Sequence, residues 1–190
     1  MGRIAKFLTD YVIEKGTVKE EERGVYEYGF LVALEKALCL ITCFVISIAL
    51  HTIPECILFF VIFIPLRSYA GGLHLDNYWS CFSLSCLTFF VIMIMGKYLE
   101  ISAFVGMIAL LFLELVIYNM YPVENINRIV DSDEDKQFKK RLQQFLLVDG
   151  IIAIICVFFG KYGYLQTITM TFLMVAVTMA IGKYRNEKQL

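Results

Sequence analysis

Six apolar stretches divide this chain, at roughly 29–50, 52–66, 79–96, 101–122, 145–160 and 164–182. About twenty apolar residues cross a bilayer as a helix, and shorter spans are accommodated where the membrane thins or flanking side chains snorkel. Lipid offers the backbone no hydrogen bonds, so such segments must satisfy their own N–H and C=O groups as helices. The fold class expected is therefore all-α: a polytopic membrane protein, one domain over residues 1–190, with about six transmembrane helices. The second and fifth stretches are short, which leaves four full spans and two re-entrant segments as the alternative. Composition agrees. Hydrophobic residues make up 59% and charged residues 18%, where soluble domains carry about a quarter charged residues. The N-terminus MGRIAKFLTDYVIEKG lacks the continuous apolar core of a cleavable signal peptide, and Ala5 and Lys6 do not supply a myristoylation signal.

Within that N-terminus, Ile4, Phe7, Leu8, Tyr11 and Val12 recur at helical spacing against Lys6, Asp10 and Glu14. The pattern predicts an amphipathic helix, lying either in the membrane interface or against the protein's own cytoplasmic face. Positive charge sets the orientation of the spans. Six spans with the N-terminus inside place fourteen Lys and Arg in cytoplasmic segments and only Lys97 and Lys161 outside, with Lys36 within the first span. Cytoplasmic loops of membrane proteins carry this excess. The expected location is the plasma membrane, with both termini cytoplasmic. The net charge of −1 gives no footprint for nucleic acid, and no nucleic-acid partner is expected. The one long hydrophilic stretch, 122–144, is expected to be a loop with an acidic half, DSDED, and a basic half, KQFKKR. It too falls on the cytoplasmic side.

The stretch RSYAGGLHLDNYWSC, residues 67–81, concentrates reactive residue types at the edge of an apolar run. Gly71 and Gly72 let the backbone turn sharply and approach another group closely. His74 precedes Cys81 by seven residues, and Cys81 falls in the opening turns of the third span. A thiol at a helix N-terminus meets the positive end of the helix dipole, and an imidazole within reach can take its proton. These are the minimum parts for covalent cysteine catalysis, with His74 as base and then acid. Backbone N–H groups near Cys81 or in the glycine turn are candidate oxyanion donors. The other five cysteines lie inside apolar stretches, where cysteine behaves as a small hydrophobe. Without a CxxC pair, and with only two histidines, neither a redox dithiol nor a zinc site is expected, and no metal or other cofactor.

The string Arg67, Gly71-Gly72, His74 and Cys81 resembles the motif of the accessory gene regulator B (AgrB) family. Chain length, the amphipathic N-terminus and the basic segment between later spans add to the resemblance. It implies a membrane endopeptidase of quorum sensing whose Cys81 attacks an AgrD-like propeptide, expels its acidic C-terminal tail and leaves an acyl-enzyme thioester. A nucleophile of the bound peptide then closes a thiolactone ring. It further implies a site facing the cytoplasm and admits a homodimer. Tail recognition is expected from Arg67 near the scissile bond and from Lys136, Lys139, Lys140 and Arg141. The DSDED run has no counterpart in the family pattern.

A third catalytic group is less legible. Asp76 is close in sequence, while Glu35, Glu114 and Asp149 sit within spans, where carboxylates attract functional suspicion. The simpler expectation pairs Glu35 or Asp149 with a nearby Lys or Arg. Rival readings are a peptide exporter, which lacks the internal repeat expected of many transporters, and a non-enzymatic membrane scaffold. A trapped thioester on Cys81 separates the enzyme from both.

Overall fold

A computed structural model of the chain describes residues 1–73, 77–99, 101–122 and 132–188. These residues form seven α-helices and a short 3-10 turn, with no strand among them. Six of the helices are long and apolar enough to cross a membrane. The all-α polytopic expectation is met.

Residues Met1–Ile46 form one compact unit and Ser47–Leu190 a second. In the first, α1 (Gly2–Glu14) leaves Ile4, Phe7 and Tyr11 more than half exposed, so their apolar stripe is free for a lipid interface. Arg23 opens α2 (Arg23–Leu50) and pairs with both Asp10 of α1 and Glu20 of the preceding 3-10 turn. The EEER segment at 20–23 thus serves as a junction between helices.

The second unit contains α3 (Ile53–Ala70), α4 (Tyr78–Tyr98), α5 (Ala103–Met120), α6 (Ser132–Phe158) and α7 (Tyr162–Glu187). The 18 residues of α3 and 27 of α6 are continuous helix. At 1.5 Å per residue α3 measures about 27 Å against a hydrocarbon core of about 30 Å, while the apolar part of α6 from Phe145 to Phe158 measures about 21 Å and is extended by its polar first turns. Both short stretches are continuous helix, long and apolar enough to cross a membrane. The segment 132–144 is also helical, which corrects its reading as loop. Its polar residues solvate the first turns of α6 rather than interrupting it. Near that end, the Tyr121 phenol donates to an Asp135 carboxylate oxygen at 2.8 Å. Burial first, and then this carboxylate, hold the phenol above its ordinary titration range.

Helix α7 is the centre of the unit. Buried residues make up 61% of its apolar window, against no more than 28% in any other span. It packs against α3, α4, α5 and α6, burying Leu165, Ile168, Phe172, Val175 and Met179 at helical spacing. Lipid tails are as apolar as these side chains, so association rests on fit and on hydrogen bonds between helices. One such bond runs from Gln166 Nε2 to the Met95 carbonyl of α4 at 2.7 Å. The hydroxyls of Thr167, Thr169 and Thr171 fold back on the carbonyls four residues earlier, so buried polar groups of α7 are satisfied within the helix. Replacing Gln166 by Leu removes the α4–α7 tie but leaves the Met95 carbonyl its bond from the Leu99 N–H. Because that acceptor keeps a partner, the expected destabilisation is only about 1 kcal/mol, readable as a shift in unfolding midpoint in mixed micelles.

Candidate active site

The segment after α3 leaves the helix through two glycines in conformations that other residues avoid. Gly71 has φ 79° and ψ −153°, and Gly72 has φ 134°. The first lies in a region essentially reserved for glycine. Arg67, on the last turn of α3, reaches forward over this turn. Its Nη1 donates to the Gly71 carbonyl at 2.6 Å and its Nη2 to the Leu73 carbonyl. A Cβ on Gly72 would collide with the same guanidinium. The second glycine is therefore required by the arginine as well as by its own backbone angle.

On its other side the loop rests on α7. The Leu73 N–H donates to the Thr178 carbonyl at 3.0 Å. A Cβ on the buried Gly182 would stand 2.9 Å from Gly72 C and Leu73 N. Two elements, α3 from within the same segment and α7 from a hundred residues further on, thus grip three residues of irregular backbone. Non-helical backbone in a membrane protein requires such protein partners.

The chain re-enters helix at α4, where Asn77 is the N-cap and accepts from the Trp79 N–H at 3.0 Å. Cys81 follows in the first turn, half-buried, with its own N–H bound to the Asn77 carbonyl at 3.1 Å. The Cys81 side chain is close enough to Arg67 for their charges to interact. Negative charge developing on that sulfur would thus face both the helix N-terminus and a guanidinium. The N–H groups of Leu73, Trp79 and Cys81 are already engaged, so none of the three is free as an oxyanion donor. His74 and Asp76 lie outside the described residues; His74 directly follows the gripped Leu73.

Of the residues expected to read a substrate tail, Arg67 is at the loop, with both terminal nitrogens engaged. The other four lie on α6 and are exposed. At 100° per residue, Lys136, Lys139 and Lys140 share one side of the helix, while Arg141 is turned away from it. Lys139 lies over the Tyr118 ring, 5.4 Å from its centroid. The neighbouring Phe138 meets Tyr69 of α3, with ring centroids 5.7 Å apart. This contact brings the basic segment of α6 beside the end of α3 that carries Arg67.

The intramembrane carboxylates do not join this site. Asp149 faces Glu114 rather than a Lys or Arg, and each has a buried oxygen without a hydrogen-bond partner. They lie on α5 and α6, whereas α4 packs mainly on α7. Glu35 has no ion pair among the described residues. The expected pairing of Asp149 or Glu35 with a basic residue is not found. Sequence reasoning also missed Asn77, although a polar Asn before an apolar run is a helix-start signal. Thr178 and Gly182 carry no local signal, because their partner is a hundred residues away.

Residues 4–179 match the family model described as accessory gene regulator B. No curated protein and no solved structure matches the chain. The match covers both units, the glycine loop, Cys81 and most of α7. The chain therefore belongs to the accessory gene regulator B family, the multi-pass membrane processing proteins of agr quorum sensing.

Proposed function

We propose that this protein is a cysteine endopeptidase that removes the C-terminal tail of an AgrD-like propeptide and passes the acyl group on to close a thiolactone. The observation that carries this reading is the placement of Cys81 on the opening turn of α4, in a chain matched to the accessory gene regulator B family, together with the Arg67 clamp on the loop that leads to His74. In the reaction His74 takes the Cys81 proton, and the sulfur attacks the scissile carbonyl carbon. The carbon–nitrogen bond of the tetrahedral intermediate breaks as His74 returns the proton to the departing amine. The tail leaves and a thioester remains on Cys81. A thiol of the bound peptide then attacks that thioester, loses its proton through His74, and releases Cys81 with its proton restored. Water must be kept from the thioester for cyclisation to outrun hydrolysis. A half-buried thiol at the end of a membrane helix suits that need.

Arg67 acts in this scheme as loop clamp and charge partner, since two of its donors are already spent on carbonyls. Recognition of an acidic tail falls to the exposed Lys136, Lys139 and Lys140, on the side of α6 opposite Phe138 and its contact with Tyr69. The charge asymmetry along the sequence supports a cytoplasmic site and cytoplasmic termini.

Three outcomes test the reading. Co-expressed with its propeptide, Cys81→Ser and His74→Ala each abolish cleavage without loss of membrane insertion, while a variant lacking the other five cysteines keeps it. Persistent cleavage by Cys81→Ala would remove the nucleophile from the scheme. In nanodiscs, replacing Lys136, Lys139 and Lys140 by Gln weakens propeptide binding at low salt, whereas Arg141→Gln alone does little. Exposed charge pairs contribute about 0–1 kcal/mol each, so single changes are small and added salt erases the difference. Equal affinity in the inserted triple variant would reject tail recognition by this face. In a cysteine-free background, single cysteines at 80 and 140 label from the cytoplasm and one at 99 labels from outside. Labelling of position 80 from outside intact cells would invert the topology.

A further inference from the structure

Arg67 accounts for the carbonyls of the glycine loop, but the face of the loop turned towards α7 is held by groups to which the proposed chemistry assigns no role. Side chains on a helix lean towards its N-terminus. A side chain at position 182 would therefore lie back over the turn that ends in the Thr178 carbonyl. That carbonyl has two lone pairs, one for the helix and one for a second donor, and the Leu73 N–H occupies this second place at 3.0 Å. The approach is open only because position 182 has no Cβ. An added Cβ would stand 2.9 Å from both Gly72 C and Leu73 N, and 3.3 Å from Leu73 Cα. These are backbone atoms between two carbonyls, Gly71 and Leu73, that Arg67 holds, so they cannot swing aside as a flexible side chain would. Thr178 adds its hydroxyl to the Val175 carbonyl at 2.9 Å, which ties down the turn that supplies the acceptor.

From this geometry we infer that Gly182 and the Thr178 carbonyl form a seat on α7 that sets the position of the Gly71–Leu73 loop, the backbone from which the chain continues directly to the proposed base. Gly182 is a positioning residue; it touches neither substrate nor the reacting atoms. The inference rests on the cysteine peptidase reading. A side chain at 182 pushes the Gly72–Leu73 backbone off its seat, and with it the start of the segment that leads to the proposed base, while the basic face of α6 and the α4 helix stay in place. Substrate binding is then retained and the acylation step is lost. A misplacement of about 1 Å is enough to cost about 10²-fold in rate.

The experiment measures single-turnover acylation by Gly182→Ala and Gly182→Val, trapping the thioester on Cys81. Rates are normalised to propeptide-binding capacity and Kd, measured for each change in a Cys81→Ala background, where capacity counts correctly folded molecules. Expected are unchanged capacity and Kd, acylation slowed about 10²-fold by Val and less by Ala, and no effect from Ile181→Ala. Ile181 adjoins Gly182 on α7 and is 47% exposed. Acylation at the wild-type rate in Gly182→Val overturns the seat. So does a fall in rate that merely tracks lost capacity in both Gly182 variants, because Gly182 would then serve folding alone. Cleavage by Cys81→Ala with retained sensitivity to Gly182→Val would instead refute the nucleophile and not the seat.

Discussion

The irregular backbone from Gly71 to Leu73 could not persist without the groups that satisfy it, and the site depends on that satisfaction. A carbonyl or N–H removed from water and left unpaired costs about 1–3 kcal/mol. Here Arg67 supplies two donors to the carbonyls and Thr178 accepts the Leu73 N–H. The loop is thereby fixed between α3 and α7. Everything proposed for His74 and Cys81 depends on a hinge that has been denied its freedom. The two glycines are needed because the fixed path runs through backbone angles reserved for them, and because the guanidinium fills the space a side chain would take.

Fixing the loop on α7 couples the site to the most buried helix in the unit. Helix α7 packs on four others, so its Thr178–Gly182 turn is held by the whole second unit. Its buried threonines satisfy their hydroxyls on their own helix, while Gln166 ties it to α4. The tie at one end of α4 and the cap by Asn77 at the other place Cys81 on a rigid element. Catalytic groups held on helices keep their geometry better than those on free loops. Cys81, the proposed nucleophile, is on the helix, and the Gly71–Leu73 backbone that precedes the proposed base in the chain is held by Arg67 and by the Thr178 carbonyl.

Charge is distributed with the same economy. Arg67 gives one donor from each terminal nitrogen to the loop carbonyls and keeps its three remaining N–H groups for other partners. The three lysines on one side of α6 are exposed, on the side opposite the Phe138 ring that meets Tyr69. The proposed division leaves acyl transfer in a half-buried place and tail recognition to exposed side chains on the surface of α6. Glu114 and Asp149, by contrast, oppose one another between α5 and α6 without a basic partner. Their arrangement gives no reason to make either the third member of the catalytic set.

Much was legible in the sequence because lipid leaves so few backbone solutions. The six apolar stretches determined an all-α membrane fold, and the spacing of Ile4, Phe7 and Tyr11 determined the amphipathic α1. The string from Arg67 to Cys81 determined the family and the candidate chemistry, since its residue types are adjacent in the chain. Helix ends were less legible. The first turns of α6 read as loop because polarity reports solvent exposure, not backbone conformation. The parting of Arg141 from the three lysines follows from helix periodicity once α6 is seen to begin at Ser132, and Arg67 turns back onto a loop four to six residues away. Only the tertiary structure decided that Asp149 meets Glu114. It alone decided that Gly182 lies against Gly72 and Leu73. Such facts depend on which helices become neighbours, and local pattern carries no information about contacts made a hundred residues apart.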